Sequence, residues 1–137
     1  MLYLIHMANH AELAYRGGQT PIIHLQADLR AAVAWAQRYN RRWAFTLSNA
    51  GSRYFEDRCD LACLHEIQWD AVNSRNWAGC REGKQAEFLL ERAFPWRLVE
   101  RIGVHSRLIG QRVAATIQDA SGAPHRPVIE VRPDWYY

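Results

Sequence analysis

Glu87 is the carboxylate best placed for chemistry. It lies in Lys84-Gln85-Ala86-Glu87-Phe88-Leu89-Leu90, where an apolar run follows an acid. Read as a strand from Glu87 to Leu90, the side chains alternate, so Glu87 and Leu89 share one face while Phe88 and Leu90 share the other. A carboxylate on a core-facing stripe must be paired or open to a cleft, because burying it alone is costly. Pattern alone favours the plainer alternative, an edge-strand glutamate facing water. A second group, Cys59-x-x-x-Cys63-x-His65-Glu66, has the residue types of a metal site but not the spacing. Zinc sites pair two-residue spacings with a second matched pair, and Cys80 stands alone. The three cysteines are therefore expected to be buried free thiols, with no metal site. His6, His10, His24, His105 and His125 have no serine or cysteine arranged beside them as a nucleophile, so surface or core positions are expected for all of them. Gly17-Gly18 is followed by Gln19 and lacks the pattern of a phosphate-cradling loop.

The elements that must carry these residues follow from periodicity and punctuation. Met1 to Met7 alternates loosely and reads as a strand, as do Pro21 to Leu25, Trp43 to Leu47 and Val128 to Val131. Asp28 can cap a helix running to about Tyr39, with Leu29, Val33 and Ala36 on one face. Arg107 to Gln118 is amphipathic, with Ile109, Val113 and Ile117 inward. Pro95 can start a helix whose inner face carries Leu98, Val99 and Ile102, leading into a strand from Ile102 to Val104. Residues 53–83 show apolar positions without a clean period and read as short helical turns joined by loops. Strands and helices mix without regular βαβ alternation, which predicts an α+β fold rather than a doubly wound sheet. No repeat or linker interrupts the chain, so one domain over 1–137 is expected.

Bulk properties narrow the function classes. At 49% hydrophobic and 23% charged, the chain is of ordinary globular composition, which excludes disorder. Six Trp and six Tyr can fill a small core or stack on bases and on a nicotinamide ring. Of the 17 Lys and Arg residues only Lys84 is lysine, and the net charge is +3. Arginine grips phosphate with a planar fork, but a charge of this size gives only mild support for a nucleic-acid partner. An odd number of cysteines and the lack of a signal-peptide pattern predict a reducing cytoplasm. No apolar run approaches the roughly 20 residues of a membrane span, so no membrane partner is expected.

Several strings occur in a telling order. They are Met1-Leu2-Tyr3, Gly17-Gly18-Gln19 with Pro21-Ile22-Ile23-His24-Leu25, and Trp43-Ala44-Phe45-Thr46. Then come Lys84-Gln85-Ala86-Glu87-Phe88-Leu89, Phe94-Pro95-Trp96 with Ile102-Gly103-Val104, and Val131-Arg132-Pro133-Asp134-Trp135-Tyr136-Tyr137. Together they resemble the DarT family of bacterial toxins, over nearly the whole chain. That resemblance implies transfer of ADP-ribose from NAD to a base of single-stranded DNA, typically thymine. It also implies a toxin–antitoxin pair with a macrodomain antitoxin, and a partial ADP-ribosyltransferase-like fold with a mixed or antiparallel sheet and flanking helices. Glu87 matches the catalytic glutamate of the family's (Arg/Lys)-Gln-Ala-Glu-Phe motif. Loss of nicotinamide develops an oxocarbenium-like ribose, which a fixed anion stabilises. The segment from about Asp60 to Gly83 corresponds to the loop that presents the acceptor. Trp69, Arg75, Trp77, Arg81 and Lys84 are its candidates for stacking bases and holding phosphates, and both tryptophans can equally anchor the loop to the core.

Two departures from the family pattern accompany the resemblance. Relatives carry a long segment ahead of Met1-Leu2-Tyr3, with a Tyr-His-Ile-Thr-like strand that helps bind NAD and an arginine important for catalysis. The cofactor-binding residues are therefore expected to be absent, NAD binding to be poor, and unpaired edges to favour self-association. Relatives also tend to place a histidine after the Phe-Thr strand, where this chain has Ser48-Asn49-Ala50. Asn49 can bond to DNA or substrate but cannot act as a histidine does. The alternatives to an active enzyme are a catalytically dead nucleic-acid- or antitoxin-binding fragment and a small scaffold without a nucleic-acid role. Oligomeric state is not legible.

Overall fold

The computed structural model describes residues 14–75, 79–120, 122 and 124–136. The expected strand from Met1 to Met7, with His6 and His10, lies outside the described residues, and so does Trp77. The described strands are β1 (Ile23–Ala27), β2 (Trp43–Thr46), β3 (Asp57–Arg58), β4 (Phe88–Leu90), β5 (Val99–Val104) and β6 (Val128–Val131). Among them run the helices α1 (Leu29–Arg38), α2 (Trp69–Asn73) and α3 (Arg107–Asp119), with 3-10 turns at Leu61–Glu66, Gly83–Gln85, Trp96–Leu98 and Pro133–Trp135. The mixture is α+β, as expected. Among the described residues no helix is long and apolar enough to cross a membrane. The chain groups into two compact units: the described residues up to Asp28 with those from Pro95 onward, and Leu29–Phe94.

The first unit holds the sheet β1-β5-β6. β1 runs antiparallel to β5, pairing Ile23 with Val104 and Leu25 with Ile102. β5 runs parallel to β6, pairing Ile102 with Ile129. Parallel neighbours need a crossover, and α3 supplies it. The Ser106 hydroxyl caps α3 by accepting the Ile109 N–H at 3.4 Å. The expected stripe of Ile109, Val113 and Ile117 then packs, with Ile129, against Val99, Ile102 and Val104.

The helix expected from Pro95 does not form. A single 3-10 turn, Trp96–Leu98, leads straight into β5. The three-residue spacing of Val99 and Ile102 looks helical, but a β-bulge produces it. Arg101 pairs with Gln26 and Val99 with Ala27, so Glu100 is skipped. A bulge inserts one extra residue into a strand, which lets Glu100 and Arg101 both face water while Val99 and Ile102 stay buried.

The other face of this sheet is closed by the C-terminal aromatics. Trp135 lies directly on Gly103, where a Cβ would stand 2.3 Å from its Cε3. The Tyr136 hydroxyl donates to the Ile22 carbonyl at 2.6 Å, and its ring meets His24 and His105 edge-on at 4.8 and 5.1 Å. Burial holds the His24 imidazole below its ordinary pKa. His125 places Nε2 2.5 Å from the Val99 carbonyl. These three histidines are thus built into the packing of the unit.

The second unit holds the antiparallel sheet β3-β2-β4. α1 buries Ala32, Val33 and Ala36. It stops at Asn40, whose φ of 49° is left-handed, and the Arg41 N–H turns back to the Ala36 carbonyl at 2.8 Å. The described residues between 53 and 83 form short turns joined by loops, as read, with the addition of β3.

Candidate active site

Glu87 sits one residue before β4, at the edge of the second unit's sheet. The expected strand began at Glu87; the observed one begins at Phe88. A hydrogen bond explains the difference. The Glu87 N–H goes to the Thr46 hydroxyl at 2.9 Å, while the Glu87 carbonyl accepts the Thr46 N–H at 2.8 Å. The last rung of the ladder is therefore made with a side chain. The alternation is as read: Glu87 and Leu89 are exposed, Phe88 and Leu90 half-buried. Glu87 is an edge residue that is open to solvent and also borders a cleft.

That cleft has a volume of about 160 Å³ and is lined mostly by apolar side chains, among them Leu29, Phe45, Ile67, Trp69 and Phe88, with Thr46 and Glu87 as polar members. Trp69 is about half exposed, and its indole N–H donates to the Leu64 carbonyl at 2.9 Å. Its polar edge is thus used for anchoring while ring surface stays available, so both functions read for it are compatible. The Glu87 carboxylate has no hydrogen-bond partner among the described residues. An anion with apolar walls beside it and open space before it is well placed to meet a developing positive charge.

The remaining candidates occupy different places. Lys84 is half-buried and turns its ammonium onto the Val72 carbonyl at 2.9 Å and onto the Ser74 carbonyl. It ties the turn before Glu87 to the end of α2 rather than reaching into solvent. Arg75 and Arg81 are exposed on the loops that flank the undescribed residues 76–78. Asn49 is half-buried, and its Oδ1 accepts the Gly51 N–H at 2.8 Å, an Asx turn that reverses the chain after β2. Trp77 lies outside the described residues.

The cysteine group serves local structure. Arg58 joins Glu66 through Nε at 3.0 Å and through a terminal nitrogen at 2.6 Å, and reaches Glu56 at 3.0 Å. That guanidinium holds the Glu66 carboxyl below the usual carboxylate range. Burial, helped by Glu66, pushes the Cys63 thiol up, opposite to what a nucleophile or metal ligand needs. His65 Nδ1 lies 2.7 Å from the Ala62 carbonyl. The three cysteines form no disulfide, but the expected burial is not found: Cys59 is exposed and Cys63 and Cys80 are half-buried, because they sit on surface turns rather than on the core strands.

Thr46 was missed as a site residue. Its signal was a polar residue closing an otherwise apolar strand, Trp43-Ala44-Phe45-Thr46.

Comparison with known proteins accords with this geometry. All of residues 1–137 match the family model described as DarT, ssDNA thymidine ADP-ribosyltransferase. A DNA ADP-ribosyl transferase of Thermus sp. (strain 2.9) is 37% identical over 145 residues, covering 100% of this chain and 63% of its own length. The solved structure of Thermus sp. 2.9 DarT in complex with NAD+ matches with a TM-score of 0.87 at 33% identity, over 99% of this chain and 66% of that one. The same protein in complex with ADP-ribosylated ssDNA matches with a TM-score of 0.87 at 33% identity, over 99% and 63%. The chain thus spans slightly less than two thirds of the length of these relatives.

Proposed function

This chain belongs to the DarT family, and from that premise we propose that it carries the catalytic glutamate of an NAD-dependent DNA ADP-ribosyltransferase. The acceptor is a thymine base of single-stranded DNA, and the protein acts in the cytoplasm as the toxin of a pair whose antitoxin is a macrodomain. The observation that carries the reading is Glu87, unpartnered among the described residues, at the rim of an apolar cleft whose walls include Trp69.

In the proposed reaction the bond between ribose C1′ and the nicotinamide nitrogen breaks, and nicotinamide leaves with the electron pair. The ribose becomes oxocarbenium-like, and Glu87 stabilises that charge or holds the ribose hydroxyls. A ring nitrogen of the base then attacks C1′, and its proton passes to the carboxylate or to water. Trp69 offers a stacking surface for the acceptor strand, and Arg75 and Arg81 offer cations for its phosphates. Glu87→Gln keeps the shape and removes the charge. We expect it to lower base modification by the full gene product on the order of 100- to 1000-fold and to relieve toxicity. Unchanged modification in that variant would remove Glu87 from the mechanism.

One observation favours a second reading, a catalytically inactive protein that binds single-stranded DNA. Asn49 stands where relatives tend to have a histidine, and its amide oxygen is committed to the Gly51 N–H. This reading expects salt-dependent DNA binding without nicotinamide release, so an assay of nicotinamide release on single-stranded DNA separates the two.

A further inference from the structure

We infer that Thr46 is a positioning residue for Glu87, acting through its hydroxyl; the inference rests on the reading of Glu87 as the catalytic carboxylate. Thr46 is the one polar residue fully removed from solvent among those described. It closes β2, where a buried position would ordinarily take valine, which has the same shape. Its hydrogen-bonding capacity is used on both sides. The hydroxyl donates to the Ser48 carbonyl at 2.6 Å and accepts the Glu87 N–H at 2.9 Å. Its backbone N–H donates to the Glu87 carbonyl at 2.8 Å.

In a regular antiparallel pair two opposed residues exchange both N–H···O bonds. Here Thr46 and Glu87 keep one of these, and the hydroxyl replaces the Thr46 carbonyl in the other. This lets the ladder end where the chain arrives from the Gly83–Gln85 turn without leaving the Glu87 N–H unpaired. The backbone is held immediately before and after the Glu87 Cα by one residue. Beyond that anchored backbone, Glu87 is exposed. The same hydroxyl fixes Ser48, the residue before the Asn49 turn, so the segment following β2 and the segment entering β4 share one anchor. A carboxylate that must stabilise a transient cation works best when its support is already in place, because no reorganisation then accompanies the reaction.

Two substitutions separate the hydroxyl from the bulk. Thr46→Val keeps the shape and leaves the Glu87 N–H and the Ser48 carbonyl without their partner. Thr46→Ser keeps the hydroxyl and loses only a methyl group. Both are compared with the parent and with Glu87→Gln in the full gene product, by nicotinamide release on a thymidine-containing single strand and by amide hydrogen exchange. We expect Thr46→Val to lower kcat on the order of 10- to 100-fold with KM changed by less than about threefold, and Thr46→Ser to restore most of kcat. The Glu87 amide should be protected in the parent and in the serine variant and exchange faster in the valine variant. Equal kcat in parent and valine variant overturns the inference, as does a serine variant as impaired as the valine one. If Glu87→Gln retains full transfer, the enzymatic reading of Glu87 fails and the inference with it. The exchange data then still decide whether the hydroxyl holds that backbone.

Discussion

Gly83 lies at the start of the turn that delivers Glu87, buried against α2. Replacing it with alanine tests whether that turn is packed as described. A Cβ there would stand 3.0 Å from the Gln68 Cβ and 3.1 Å from the Ala71 Cβ, closer than the 3.4 Å at which ordinary contact begins. It would also come within 2.5 Å of the Gln68 Oε1, which is the end of a flexible side chain and can swing away. The two Cβ atoms cannot, so the turn and α2 must part by a few tenths of an ångström. Lys84, bound to the Val72 and Ser74 carbonyls, resists that movement. Overpacking of this kind costs about 1–3 kcal/mol. Alanine offsets roughly 0.4–1 kcal/mol of that by restricting the unfolded chain. The net loss is about 1 kcal/mol, a fall in Tm of about 3–5 °C for a chain of this size. Because the displaced turn leads directly to Glu87, transfer should fall as well, about 6-fold for a shift of about 0.4 Å. Thermal melts and nicotinamide release on single-stranded DNA check both numbers. A Gly83→Ala protein with an unchanged or higher Tm and full transfer would refute the packing of this turn against α2.

Gly110 gives the opposite sign. It sits inside α3, and a Cβ there would meet Val104 Cγ2 at 3.5 Å and Ile129 Cγ2 at 3.6 Å, ordinary contact distances. Gly110→Ala should therefore raise stability by about 1 kcal/mol, seen as a higher Tm; a lower one would mean that α3 packs more tightly on β5 and β6 than described. The third prediction concerns acid. Glu66 is held below its ordinary value of 4.5, first by the hydrogen bond from Arg58. A depressed carboxyl pKa contributes stability that is present above the unfolded value and is lost as pH falls through the folded one. The Tm difference between the parent and Arg58→Met should thus be largest near neutrality and shrink below about pH 4.5, and a gap that holds or widens in acid would contradict the ion pair.

The local elements were legible wherever periodicity and punctuation agreed. α3 follows from the Ile109, Val113 and Ile117 stripe, α1 from the stripe that includes Val33 and Ala36, and both β2 and β6 from short apolar runs. The order of the motif strings, with Glu87 inside one of them, was enough to point to the DarT family. These features depend on neighbours along the chain. What depends on partners distant in sequence was not legible. The Val99 to Ile102 spacing reads as a helix until β1 is laid beside it and the bulge at Glu100 appears. Lys84 reads as a phosphate ligand until α2 brings two carbonyls to its ammonium. Thr46 reads as one more strand residue until Glu87, 41 positions later, delivers its N–H to the hydroxyl. A sequence determines which side chains share a face, because that follows from the backbone repeat; which atom meets a hydroxyl or an ammonium is decided only when separate segments pack, since hydrogen bonds act over about 3 Å and carry no trace along the chain.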